Sequence, residues 1–154
     1  MTTVAVLFPT KGRAAQARQR AGDMLAQQYP AGASVTLVAS VERTDTETVE
    51  AMSALTESYP GRVVVLLREP ETTSVQGWNL AYAHARDCAD WVVLGADDVV
   101  WREGWLQTAL DTADATGAAV VGLMDGHDAA RYYGPHFIAR VSFLEGHMGG
   151  VIAV

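Results

Sequence analysis

Six short apolar runs punctuate the chain, and between them apolar residues recur every three or four positions. Val4–Phe8, closed by Pro9, reads as a buried strand. Ala14, Ala17, Ala21, Met24, Leu25 and Gln28 then fall at helical spacing, and the helix must end before Pro30. Val35–Val41 is a second strand, followed by Thr44 and Glu47 in the spacing of a capping box. Val49, Met52, Leu55 and Tyr59 form the next helical stripe, stopped by Pro60 and Gly61. A third strand, Arg62–Leu67, precedes a helix with Ser74 as its expected N-cap and Val75, Trp78, Tyr82 and Ala85 facing inward. Trp91–Leu94 is the fourth strand, and Gly95–Asp98 is its exit. Glu103–Thr116 reads as a helix ended by Gly117, then come a strand at Ala118–Gly122, a polar loop at Asp125–Pro135 and a sixth strand at Phe137–Phe143. Gly146–Gly150 reads as a loop, and Val151–Val154 is a short apolar end.

Continuous apolar strands alternating with amphipathic helices specify an α/β fold: one mostly parallel sheet with helices on both faces. A chain of 154 residues fits one such domain. In sheets of this kind ligands gather outside the carboxyl ends of the strands, so the residues leaving each strand are the candidates. The first strand supplies Pro9, Thr10, Lys11, Gly12 and Arg13. The second supplies Ser40, Glu42 and Asp45, the third Arg68 and Glu69, and the fourth Asp97 and Asp98.

The formal net charge is −7, which opposes nucleic-acid binding because that normally needs a basic face. Even so, Lys11, Arg13, Arg18 and Arg20 crowd the first turn, where a local anion site is feasible. No apolar run reaches the ~20 residues needed to span a bilayer. The start carries neither a basic flank nor a cleavage site, so the chain reads as mature from Met1 and cytoplasmic. Cys88 is the only cysteine, so no intrachain disulfide is possible, and among helical positions it reads as a small buried hydrophobe.

Asp97 and Asp98 carry the most information. Adjacent carboxylates repel and are costly without a cation or donors nearby. Hard oxygen ligands suit Mg2+ or Mn2+, and such an ion bridges naturally to a diphosphate. A turn and helix cap would use the same dipeptide. Gly77 lies early in a helix, where glycine costs ~1 kcal/mol relative to alanine. Close approach of a ligand or of another backbone would explain it, and Asn79 lies two residues on. His127, His136 and His147 fall in the last third at no zinc-motif spacing, although a histidine near paired carboxylates suits a metal. Walker A, GxGxxG and G-x-S-x-G motifs are all absent.

The stretch F-P-T-K-G-R after the first strand resembles the opening P-T-x-x-R of GT-A-fold, family-2-type glycosyltransferases. V-Q-G-W-N-L-A-Y-A-H-A resembles that family's glycine/asparagine helix, and D-W-V-V-L-G-A-D-D-V its D-x-D-type acidic motif. Order and separation agree from about residue 4 to residue 122. The resemblance implies a single Rossmann-like (GT-A) domain over residues 1–154, binding a nucleotide-sugar donor with Mn2+ or Mg2+ and shortened at its C-terminal end. On this reading Pro9, Thr10 and Arg13 lie beside the nucleotide, Asp97 approaches the ribose and Asp98 holds the metal. Gly77 and Asn79 line the base and ribose side. Ser40 stands where the family often has an acidic residue, with Glu42 nearby. Glu145, the only carboxylate after Asp128, is the candidate base for transfer.

Metal-dependent glycosyl transfer is therefore the expected function, with the acceptor and the oligomeric state open. The alternatives are a nucleotidyltransferase, which usually has a more glycine-rich first loop, and a non-catalytic unit of the same fold binding a sugar nucleotide or a protein.

Overall fold

The structure, a computed structural model, describes residues 1–123 and 136–150. The expected polar loop Asp125–Pro135, with His127, and the apolar end Val151–Val154 lie outside the described residues. The remainder forms one six-stranded sheet with helices on both faces. The elements are β1 (Thr2–Thr10), α1 (Ala14–Leu25), β2 (Ala33–Glu42), α2 (Thr46–Ser58), β3 (Val63–Arg68) and α3 (Ser74–Ala85). They continue with β4 (Trp91–Leu94), α4 (Trp105–Thr116), β5 (Val120–Gly122), β6 (Phe137–Arg140) and α5 (Val141–His147). Strand order is β3-β2-β1-β4-β6-β5. The first four strands are parallel, and β6 runs antiparallel to both β4 and β5.

Strand alternation divides the core. Val4, Val6 and Phe8 of β1 face one hydrophobic layer with residues of α1, α2 and α4, whereas Ala5 and Leu7 face the other with α3 and α5. This is why the strands read as unbroken apolar runs: each side chain, up or down, meets a helix. β1 continues through Pro9, which sequence reading took as its end. The Leu7 carbonyl accepts from Gly95 N–H. Two residues on, Pro9 faces the same side, past the end of β4, so its missing N–H costs no ladder bond.

Four local expectations are corrected. α2 is capped by Asp45, whose side chain accepts from the Thr48 N–H, and not by the Thr44–Glu47 box. Thr44 instead donates to Glu42 at 3.2 Å. α3 is capped one residue earlier than Ser74, by a capping box of Thr73 and Gln76. The sixth strand stops at Arg140, and Val141–His147 is helical with Val141 and Leu144 buried, one turn apart. That helix takes in Gly146, expected in the following loop. Cys88, expected to be buried, is exposed just past α3.

Candidate functional site

The sheet changes direction between β1 and β4. From β1 the chain first builds outward through β2 and β3, then returns to add β4 on the other side. At such a switch point the loops leaving the two central strands diverge and leave a crevice. The crevice is a cavity of about 530 Å3 between the exits of β1, β3 and β4 and the start of α3. That volume is in the range of small-molecule sites.

Asp97 anchors it. The Thr10 hydroxyl donates to Asp97 Oδ2 at 2.7 Å, and Arg13 Nη1 lies 3.0 Å from Oδ1. The Gln16 amide donates to the Asp97 carbonyl at 2.9 Å, tying α1 to the same turn. Asp97 is only 7% exposed, and a carboxylate so buried needs these donors. Asp98 is exposed and, among the described residues, has no hydrogen-bond or ion-pair partner. Two adjacent carboxylates thus have different duties: one is committed to the protein, and the other is turned to the cavity lined by both.

The first loop is braced from β2. Lys11 Nζ lies 2.7 Å from Glu42 Oε2, and that ammonium holds the Glu42 carboxyl below its usual range. Gly12 adopts a left-handed φ of 69°, which suits glycine, and donates its N–H to Asp45 at 2.6 Å. Burial pushes the Asp45 carboxyl up, but the donors on Gly12 and Thr48 outweigh it and leave the group lowered. Arg68, 7% exposed at the end of β3, donates to the Thr72 carbonyl and hydroxyl and, at 3.3 Å, to the Thr10 carbonyl. It therefore fastens the loop before α3 to β1. Among the described residues it has no anionic partner.

Helix α3 seats directly on these exits. A Cβ on Gly77 would stand 2.8 Å from both Pro9 Cβ and Ser40 Oγ, so only glycine allows this approach. Trp78, the next residue, donates its indole N–H to the Gly95 carbonyl at 2.9 Å. Across the cavity, His136 Nδ1 lies 2.9 Å from the Leu94 carbonyl.

Of the residues expected from sequence, Pro9, Thr10, Arg13, Asp97 and Asp98 line the cavity together. Ser40 and Gly77 sit behind Pro9 as a packing contact, and Glu42 reaches the cavity only through Lys11. Half-buried Asn79 is not among the lining residues. Glu145 does not join them. Its carboxylate accepts from the Tyr82 hydroxyl at 2.6 Å, one turn along α3 from the cavity-lining Trp78, and lies near Arg86. Sequence reading gave Trp78 only a core role and did not single out Gln16, Thr72 or Thr73. Their roles are carried by particular side-chain hydrogen bonds, which leave no periodic trace. Among the described residues no three His, Cys, Asp or Glu side chains converge as a self-sufficient metal cage. What the donor set fits is an ion that brings ligands of its own, with Asp98 free to meet it.

Residues 3–148 match the family described as "Glycosyltransferase like family 2". No curated protein matches the sequence. Among solved structures, a mannosyltransferase from Pyrobaculum calidifontis, PcManGT in complex with GDP-Man and Mn2+, superposes with a TM-score of 0.76 at 17% identity. The match covers 93% of this chain and 46% of that one. S. aureus TarS 1-349 in complex with UDP-GlcNAc superposes at 0.67 and 15% identity, over 96% of this chain and 48% of that one. At these identities the likeness is one of fold, and the chain spans about half the length of each neighbour. Among the described residues no helix is long and apolar enough to cross a membrane.

Proposed function

The chain belongs to glycosyltransferase-like family 2, and from that premise we propose that its cavity holds the nucleoside diphosphate of a sugar donor around a divalent ion. The carrying observation is the division of labour at the end of β4: Asp97 is neutralised by Thr10 and Arg13, whereas Asp98 is left uncommitted at the cavity. An uncommitted carboxylate facing a diphosphate repels it unless a cation stands between them. Asp98 would hold Mn2+ or Mg2+ there, and the ion would offset charge developing on a diphosphate leaving group.

The chain's own residues do the rest. Arg68 supplies positive charge to the lining, while Lys11 and Arg13 offset Glu42 and Asp97. Gly77 and Ser40 let α3 close on β1 and β2, which fixes the wall against which the nucleoside rests. The chain acts as the nucleotide-sugar-binding unit, and PcManGT in complex with GDP-Man and Mn2+ is the fold neighbour that makes such a donor the first to try. The base for transfer is assigned to no described residue, since Glu145 is not among the residues lining the cavity.

Thermal shift with UDP-, GDP- and CDP-sugars, with and without Mn2+, tests the reading. The matching donor stabilises the fold by ~2.7 kcal/mol at a concentration ~100 times its Kd, and EDTA removes most of that gain. Asp98→Asn abolishes metal-dependent binding and leaves the ligand-free melting temperature unchanged or slightly higher. A full shift in EDTA, or unchanged affinity in Asp98→Asn, overturns the proposal.

A further inference from the structure

We propose that His136 is a ligand, through Nε2, to the divalent ion carried by the donor diphosphate, and that it tilts this site toward a transition ion such as Mn2+ over Mg2+. The inference rests on the donor-site reading above and extends it to the identity of the ion.

Because β6 runs antiparallel to β4, with Val93 opposite Ile138, the residue that enters β6 lies where β4 ends. His136 is therefore delivered to the carboxyl edge, next to the Gly95–Asp98 exit, and lines the same cavity as Asp97 and Asp98. Its ring is fixed. A carbonyl oxygen can only accept, so the 2.9 Å contact with Leu94 puts the ring proton on Nδ1 and leaves the lone pair on Nε2. A backbone carbonyl on the far nitrogen is the usual outer support of a metal-binding histidine, setting its tautomer and orientation.

The other lining residues narrow the choice. Asp97 has both carboxylate oxygens engaged, Lys11, Arg13 and Arg68 are cations, and the rest are hydroxyl-bearing or without a lone-pair nitrogen. Asp98 and His136 are the two lining side chains that combine a metal-ligating atom with freedom to use it. Two protein ligands make no cage, which accords with the lack of a three-residue cluster among the described residues. The ion would arrive with the diphosphate and not before it. An imidazole nitrogen favours later first-row ions, whereas Mg2+ keeps to oxygen. One nitrogen in an oxygen-rich set therefore shifts the preference.

Pulsed electron paramagnetic resonance on the full chain with Mn2+ and UDP, and separately with Mn2+ and GDP, reads this directly. Bound Mn2+ shows 14N modulation, which converts to a 15N pattern when the histidines are 15N-labelled and vanishes in His136→Asn. Asparagine keeps an N–H for Leu94 but has no atom at the Nε2 position. Calorimetric titration of the same variant shows Mn2+ affinity in the presence of the diphosphate reduced by about 10- to 100-fold, with a smaller loss for Mg2+. Bound Mn2+ without nitrogen modulation, or modulation that survives in His136→Asn, overturns the assignment even where nucleotide binding is normal. If neither nucleotide recruits Mn2+, the donor-site reading itself falls and this inference with it.

Discussion

The two ends of β4 carry the same device with opposite outcomes. At the amino end, Asp90 accepts from the Thr3 N–H at 2.7 Å and the Thr3 hydroxyl at 2.8 Å. Just past the carboxyl end, Asp97 accepts from the Thr10 hydroxyl at 2.7 Å. Each aspartate thus meets the threonine 87 residues earlier, at the matching end of β1. At the amino end the strand ladder runs on beside the pair, Asp90 is exposed, and its carboxylate is consumed by β1. At the carboxyl end the chain leaves the sheet on diverging paths, Asp97 is buried, and a second carboxylate and three cationic side chains gather beside it. A Thr–Asp pair by itself is therefore a fastening. It becomes a site only where the topology opens a crevice and supplies further charge.

The sharpest break of that symmetry comes from truncating each aspartate. Asp97→Ala strands the Thr10 hydroxyl and the Arg13 cation, costs ~2–3 kcal/mol in denaturant melts and removes detectable nucleotide binding in calorimetry. Asp90→Ala costs only ~1 kcal/mol, since water replaces its exposed bonds, and leaves nucleotide affinity unchanged. Equal losses of binding in both variants would erase the distinction. Gly77→Ala comes next. Overpacking against Pro9 and Ser40 outweighs the gain in helix propensity, for a net loss of ~1–2 kcal/mol, with weaker nucleotide binding as α3 is pushed from the carboxyl edge. A smaller effect belongs to the caps. Thr73→Ala loses ~1 kcal/mol through the α3 capping box, whereas Thr44→Ala leaves the melting midpoint nearly unchanged.

Acid gives the smallest contrast. The Thr3 donors hold the Asp90 carboxyl below its ordinary range. The folded state therefore favours the charged form, and the contribution is complete above the unfolded value of about 4. It is lost as pH falls through the lower folded value. Asp90→Asn flattens that part of the stability profile, measured by denaturant melts between about pH 5 and 2: its deficit is complete at neutral pH and shrinks as acid protonates the wild-type carboxylate.

Much of this was legible in advance because burial on both faces writes strands as plain apolar runs. β4 follows the apolar run Trp91–Leu94 residue for residue, and strand exits alone place Thr10, Arg13, Asp97 and Asp98 at one edge, where all four line the cavity. What escaped were choices between near-equal neighbours. Thr73 and Ser74 can both cap α3, and only the position of Gln76 three residues after Thr73 decides between them. Thr44 and Asp45 compete in the same way for α2. Asp45 prevails because its second oxygen also takes the Gly12 N–H, a contact 33 residues away. Val141–Phe143 carries branched and aromatic side chains that suit a strand, yet Val141 and Leu144 bury against the α3 layer as one turn of helix. Glu145 was singled out by elimination along the sequence, and nothing in the sequence foretells Tyr82 as its partner.

The 87-residue reach between Thr10 and Asp97 also bears on the order of assembly. β1 meets β2 through a short connection, with Val4 beside Val35, but meets β4 only after β2, β3 and three helices have been traversed. Loop-closure entropy rises with that length, and distant pairings form slowly. The cavity at the carboxyl edge is therefore absent from any nucleus built on β1–β3 alone and forms as β4 docks. A ligand bound there is expected to slow unfolding and to leave the refolding rate as it was. Stability that a ligand adds there would take the form of kinetic persistence, gained once β4 has joined the sheet.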